Sequence, residues 1–320
     1  MKSIASAPGK IILFGEHFVV YGIKAILCSI DMRITATSTF LDERIVRIKS
    51  SIGESEVDLN SLNNLEKVSK NFMRPFFHIV NKAMEEYPSK KGVEIDLESE
   101  IPPGVGLGSS SASCVAATAS VNGLFNRLSK DEVLKRAIQA ERTIFEKSSG
   151  ADSSVSTFGG LMSYDQENGF QNISIKNELN FIISNSSQVH NTQEVVGQVK
   201  NFKEKNEDLF RKLCGQEIEI VKNAIIALKE NDLKKIGSLM SENHDLLKKI
   251  GVSTEKIDLL VKEAKKTSYG AKITGAGGGG CIIALVDNSN IKNTLANLGK
   301  YSDCFVVKID YDGLIYAGRS

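Results

Sequence analysis

Pro102-Pro103-Gly104-Val105-Gly106-Leu107-Gly108-Ser109-Ser110-Ser111-Ala112 is the stretch on which the reading of this chain turns. Three glycines at alternate positions run straight into serines, and the serines open a run of small residues. Glycine lets the backbone take φ > 0 and brings its N–H groups close to a bound group. Successive N–H groups curled in such a loop form an anion-binding nest. The serines begin a predicted helix, whose unpaired N–H groups and positive dipole end also favour an anion. The stretch reads as a phosphate cradle.

Working outward, 320 residues allow one large domain or two ordinary ones. With 41% hydrophobic and 25% charged residues the composition is that of a globular protein. A formal net charge of +1 directs no strong field at nucleic acid or at a membrane surface, so neither is expected as a partner. The five cysteines (Cys28, Cys114, Cys214, Cys281, Cys304) are widely spaced and form no CxxC pair, which suggests neither a zinc site nor a disulfide framework. That usage fits a reducing cytoplasm. The first ten residues lack the apolar core of a signal peptide, and no apolar run reaches the ~18 residues needed to span a bilayer.

The first hundred residues read mainly as strands: Lys10 to Phe14, Ile23 to Thr39, Arg44 to Lys49 and Lys91 to Leu97, with a helix over Val68 to Tyr87. After the glycine loop, Ala112, Val115, Ala116 and Ala119 fall on one helical face. Ser129-Lys130-Asp131-Glu132 is a capping box that opens a helix running to about Lys147. A turn over Ser148 to Ser154 follows, then strands over Gly159 to Tyr164 and Asn180 to Ser184. Residues 191–268 read as amphipathic helices, and the end returns to strands at Cys281 to Val286, Phe305 to Ile309 and Leu314 to Tyr316. The pattern predicts an α+β chain of two lobes with a boundary between residues 155 and 185, drawn as 1–165 and 166–320. No Pro-rich linker marks it, so the lobes should share a large interface.

Several residues carry candidate chemistry. Glu141 falls within the apolar stripe Leu134, Ala137, Ile138, Ile144 and Phe145, not on the charged face with Lys135, Arg136 and Glu146. An inward carboxylate must be paired or bind a metal, and either reading is open here; the phosphate cradle favours magnesium. Asp152, in Ser149-Gly150-Ala151-Asp152-Ser153-Ser154, either caps a helix or acts as a general base toward a hydroxyl. Lys10, Glu16 and His17 surround a short apolar strand, where Lys10 reads as a solvated end or a site residue. Glu16 and His17 suit ligand contact, although a satisfied core histidine fits equally. His78, His190 and His244 show no metal-ligand spacing. Lys272-Ile273-Thr274-Gly275-Ala276-Gly277-Gly278-Gly279-Gly280-Cys281 contains GxGxxG, but a strand follows it rather than a helix, which excludes a dinucleotide fingerprint. Four consecutive glycines between strands suggest a loop passing close to something. No Walker A motif is present.

Pro8 to Gly22, Pro102 to Ala112 and Lys272 to Cys281 together resemble the three signature motifs of the GHMP small-molecule kinase family, in order and across nearly the whole chain. Within it, Gly15-Glu16-His17 followed by Val19-Val20-Tyr21-Gly22 is most similar to the mevalonate-phosphorylating members. Phosphomevalonate kinases usually carry tyrosine where His17 stands, and galactokinases have a different first motif. The resemblance implies a ribosomal-S5-like N-terminal lobe, a ferredoxin-like C-terminal lobe and a site in the cleft. It implies ATP and mevalonate as substrates, with Pro103, Gly104, Val105, Gly106, Leu107, Gly108, Ser109, Ser110 and Ser111 wrapping ATP. Asp152 would be the base and Lys10 its partner. Glu16, His17 and Thr192 would contact the acceptor, and Ser110 (or Ser109) with Glu141 would hold Mg2+. Gly275, Gly277, Gly278 and Gly279 would line the site from the other lobe, and a homodimer is implied. Ser111 departs from the alanine usual at its position, and Gly22-Ile23-Lys24-Ala25 lacks the usual proline. The rival readings are another acceptor, such as phosphomevalonate, or a non-catalytic ligand sensor on the same fold.

Overall fold

Small apolar and polar residues alternate from Lys2 onward and make the first strand, β1 (Lys2–Phe14). It pairs antiparallel with the long β2 (Ala25–Leu41) over nearly its whole length. The computed structural model describes residues 1–64, 71–145, 148–188 and 191–319. β2 continues to β5 (Gly92–Ser99), which pairs parallel with β3 (Ile45–Ser50). The edge strand β4 (Gly53–Asp58) lies antiparallel to β3. β12 (Ile315–Arg319) covers the other edge on β1, and β6 (Leu161–Asp165) with β7 (Gly169–Asn172) extends β2. The order is β12-β1-β2-β5-β3-β4, with β6 and β7 off this path. A second, wholly antiparallel sheet runs β11 (Cys304–Lys308), β8 (Asn180–Asn185), β10 (Cys281–Val286), β9 (Gly270–Ile273).

Helices α1 (Arg74–Glu86), α2 (Ser109–Gly123), α3 (Lys130–Glu141) and α4 (Ala151–Phe158) belong to the first sheet. α2 lies against β1 and β2 and is enclosed by α1, α3 and α4. It is therefore buried on nearly all sides from Ser111 to Gly123, with only Ser113 half-buried, rather than along the single face of Ala112, Val115, Ala116 and Ala119. Its small side chains permit this, and at Gly123 even a Cβ would meet Ser3 Oγ at 2.2 Å. The remaining helices are α5 (Thr192–Lys205), α6 (Glu207–Glu230), α7 (Leu233–Lys249), α8 (Glu255–Ala264) and α9 (Ile291–Leu298). α7 and α8 pack on β9, α8 also on β10, and α6 packs on α7. One continuous apolar core links both sheets.

Several expectations need correction. The helix expected over Val68 to Tyr87 begins at Arg74, with Pro75 inside its first turn, and its expected start at residues 68–70 lies outside the described residues. The capping box of Ser129 and Glu132 is formed, but its helix stops at Glu141 rather than Lys147. Its buried face is Val133, Ala137, Ala140 and Glu141, while Phe145 is exposed beyond the helix end. Glu146 and Lys147 lie outside the described residues. The turn expected over Ser148 to Ser154 becomes helix from Ala151. β4 and β7 were not expected: both are short and polar and pair at sheet edges, where no apolar pattern is needed.

Candidate active site

The glycine loop owes its shape to alternation. Val105 and Leu107 are buried, whereas Gly104, Gly106 and Gly108 have φ of 74°, 80° and 76°. Two apolar anchors thus point inward, and the left-handed glycines turn the intervening amides outward. Gly108 is the N-cap of α2 and supplies no side-chain cap, so the first amides of the helix, at Ser109, Ser110 and Ser111, are left to a ligand.

Lys10 lies beneath this loop. Its backbone N–H donates to Leu107 O at 2.8 Å, and its Nζ lies 3.4 Å from Gly106 O. A Cβ at Gly108 would come within 2.7 Å of Lys10 Cγ. The ammonium is 3.2 Å from Asp152 Oδ2; the lysine side chain is 6% exposed and the aspartate 37%. Asp152 does not cap its helix. The cap is Gly150, and Asp152 is in the first turn, held open to the cleft. Lys10 is therefore buried and paired rather than a solvated strand end.

Glu141 is buried in the last turn of α3 and is ringed by hydroxyls. Ser111 donates to Oε1; Ser148 and Ser153 donate to Oε2 at 2.8 and 3.3 Å. Among the described residues no ion pair reaches it, and the three hydroxyls satisfy both of its oxygens. It is Ser111, not Ser109 or Ser110, that touches Glu141; the latter two are half-buried at the mouth of α2. Among the described residues no cluster of three His, Cys, Asp or Glu side chains is suited to a metal ion.

The strand end at residues 12–17 ties to the second sheet's lobe. Ile12 N–H donates to Thr274 Oγ1 at 2.9 Å. His17 begins a short 3-10 turn and donates from Nε2 to Ala276 O at 2.7 Å, which fixes its tautomer because a carbonyl only accepts. Burial lowers its pKa, against the opposing pull of the Ala276 hydrogen bond, and so favours the neutral ring. Glu16 Oε1 pairs with Lys272 Nζ, and both side chains are buried. Lys272 also donates to Ile273 O at 2.6 Å. The third loop packs close: a Cβ at Gly277 would lie 2.3 Å from Val252 O, one at Gly279 2.4 Å from Gln188 O, and one at Gly275 3.6 Å from Gly106 O across the cleft. Gly278 N–H donates to Val252 O at 2.8 Å. Thr192 is exposed in the first turn of α5 and shares no hydrogen bond or ion pair with this cluster. His78 is half-buried on α1, and His244 is buried on α7 beside Asp258 at 3.5 Å; His190 lies outside the described residues.

Glu217 and Lys272 escaped the sequence reading as site residues. Glu217 is fully buried on α6, accepting from Gly15 N–H at 2.9 Å and from Asn243 Nδ2 at 2.6 Å. It lies in the apolar stripe Phe210, Leu213, Val221, Ala224, the same signal that singles out Glu141.

The GHMP kinases N terminal domain family matches residues 74–160, and the GHMP kinases C terminal family matches residues 224–303. A mevalonate kinase of Thermococcus sibiricus is 36% identical over 98% of this chain and 98% of its own length. A mevalonate kinase of Pyrococcus furiosus is 36% identical over 90% of each chain. The crystal structure of the Methanococcus jannaschii mevalonate kinase superposes with a TM-score of 0.85 at 30% identity, over 96% of this chain and 98% of that one. The loop of residues 104–108, the Lys10–Asp152 pair and these full-length similarities agree, and the chain belongs to the GHMP kinase family.

Proposed function

We propose that this chain transfers the γ-phosphoryl group of ATP to the primary hydroxyl of mevalonate, giving phosphomevalonate and ADP. The observation that carries the reading is the Lys10–Asp152 ion pair, 3.2 Å long and set directly beneath the glycine loop. Phosphoryl transfer depends mainly on positioning and on charge neutralisation. The outward amides of residues 104–110 and the start of α2 receive the phosphates. Asp152 accepts the hydroxyl proton as the acceptor oxygen attacks, and Lys10 holds that carboxylate and the developing alkoxide. His17 and Glu16 stand on the acceptor side, with Thr192 farther out; Gly275, Gly277, Gly278 and Gly279 wall the cleft from the second lobe.

Mg2+ fits the residues present. The donors beside the loop are all oxygen, one buried carboxylate and serine hydroxyls, and this ion commonly takes one or two carboxylates plus substrate phosphates. Ser110 and Glu141 would hold it, with Ser109 the alternative hydroxyl. When bound it supplies neutralisation of the phosphate oxygens. Ser111, Ser148 and Ser153 meanwhile keep Glu141 oriented.

We draw the lobe division at residue 165, although β7 and β12 lie beyond it and hydrogen-bond into the first sheet. Among the described residues no helix is long and apolar enough to cross a membrane, and all five cysteines are unpaired. Both features accord with our placing the enzyme in the cytoplasm. A homodimer is also proposed, to be tested by light scattering. The deciding experiment measures ADP release with mevalonate, phosphomevalonate, homoserine and galactose. Turnover on mevalonate is expected; turnover on phosphomevalonate alone would reassign the acceptor, and ATP binding without turnover on any alcohol would make the protein a sensor.

A further inference from the structure

Two buried carboxylates meet one buried ammonium where the two lobes join. Glu217, from α6, and Lys272, from β9, are both fully buried, and Glu16 is 4% exposed. Lys272 pairs with Glu16 Oε1. Glu217 spends its two oxygens on Gly15 N–H and Asn243 Nδ2. Among the described residues Glu16 Oε2 and Asn243 Oδ1 find no hydrogen-bond partner. An apolar helix stripe tolerates a carboxylate only where its bonds are made, so these contacts must carry Glu217.

The recipient of its bond is a constrained turn. Gly15 has φ of 90°, and a Cβ there would lie 2.6 Å from both Ala25 Cα and Lys24 O. The turn therefore cannot be rebuilt from another residue, and its amide is aimed at Glu217. Two residues on, His17 reaches Ala276 O of the third glycine loop. α6 braces the same turn with an aromatic: the Phe210 ring lies 6.0 Å from that of Phe18 and 4.8 Å from that of Tyr21. Phe210 and Glu217 are two helical turns apart on one face.

We propose that Glu217 is a positioning residue which, through Gly15 N–H, sets the turn that carries His17 on the acceptor side of the site. The inference rests on the kinase reading above for what that side binds. Burial, then the nearby Glu16, pushes the Glu217 carboxyl up to about 7. The other groups facing it are Lys272 and Asn243, with Cys214 on its own helix.

The test uses the full chain with three variants. Glu217→Ala removes the acceptor of the Gly15 bond, and Glu217→Asp retracts it by one methylene while keeping the charge. Both should raise KM for mevalonate about tenfold, with KM for ATP and kcat changed less than about threefold. Glu217→Gln keeps an oxygen for Gly15 and should restore KM to within about threefold of the parent. The buried Nε2–H of His17, seen as a slowly exchanging imidazole proton by NMR, reports the turn without any acceptor; it should shift or broaden in the Ala and Asp variants and return in the Gln variant. Should the parent fail to phosphorylate mevalonate while this resonance follows Glu217, the acceptor assignment falls and the positioning role stands. An unmoved His17 resonance, an unchanged mevalonate KM in Glu217→Asp, or equal losses in both KM values and kcat would overturn it.

Discussion

Replacing Glu217 by Gln should change how stability depends on pH. Burial raises this carboxyl from 4.5 to about 7. A carboxyl whose folded-state pKa lies above its unfolded value holds its proton more tightly when folded, so its contribution favours the native state at low pH and is lost as pH rises through about 7. At about 1.4 kcal/mol for each pH unit between 4.5 and about 7, the ionisation penalty is roughly 3 to 4 kcal/mol, fully developed by pH 8. Glutamine resembles the protonated acid: it still accepts from Gly15 N–H, and Asn243 can turn its unpartnered Oδ1 toward the new amide. The variant should match the parent near pH 5 and exceed it increasingly up to pH 8. At roughly 2 °C per kcal/mol for a chain of this size, the difference in Tm should grow by about 5 °C across that window. Differential scanning of the ligand-free proteins in matched buffers measures it, and subtraction cancels the groups that do not interact with position 217. Parallel Tm–pH curves for parent and variant would refute an ionising Glu217 in this place.

Asp152→Asn should lower kcat by about 10²- to 10⁴-fold while ATP still binds; ADP release and ATP calorimetry check the two halves of that statement. Glu141→Gln should raise the Mg2+ concentration needed for half-maximal rate by about tenfold, read from a magnesium titration at fixed ATP. Gly108→Ala and Gly106→Ala should separate two effects. Both force a left-handed φ on alanine, at about 1–2 kcal/mol, but a Cβ meets Lys10 Cγ at 2.7 Å at position 108 and open space at 106. The Gly108 variant should therefore melt lower and lose more activity than the Gly106 variant.

The phosphate loop was legible because alternation of Val105 and Leu107 with three glycines encodes both its anchoring and its curvature locally. Glu141 was legible because a carboxylate in an apolar stripe is improbable without a partner, yet the partners themselves were not: Ser148 and Ser153 lie on a later segment, and only the packing of α4 against α3 brings them in. Ser111 stood in plain view as a departure from alanine, but its reach to Glu141 depends on how α2 crosses α3. Lys272 and Glu217 were hidden for a different reason. Each pairs across more than two hundred residues with the turn at 15–16, and no local period records a long-range bond. The mistaken extension of α3 to Lys147 came from counting Ile144 and Phe145 into its stripe; apolar residues just beyond a helix end keep the period without sharing its burial.

Helix entry gives the site its polarity. Among the described helices only α2 and α4 are entered through glycine, Gly108 at φ 76° and Gly150 at φ 78°. α3, α5, α7 and α8 are entered through Ser129, Asn191, Asp232 and Thr254, each with its side chain bonded to an amide of the first turn. Such a cap is worth about 1 kcal/mol relative to alanine; α1, α6 and α9 also lack one, but only at α2 and α4 is the entry residue a left-handed glycine. A capping oxygen would occupy the N–H groups that otherwise face the cleft, and a side chain at Gly108 would collide with Lys10. At α2 the free amides open onto the glycine loop; at α4 the first turn carries Asp152, the group paired with Lys10. The two glycine-entered ends are thus the two that bear the chemistry, one left to an anion and the other furnished with its own carboxylate where the helix dipole is positive. The same lysine packs under one entry glycine and pairs with the aspartate two residues past the other. Any shift of β1 must therefore move both halves of the site together.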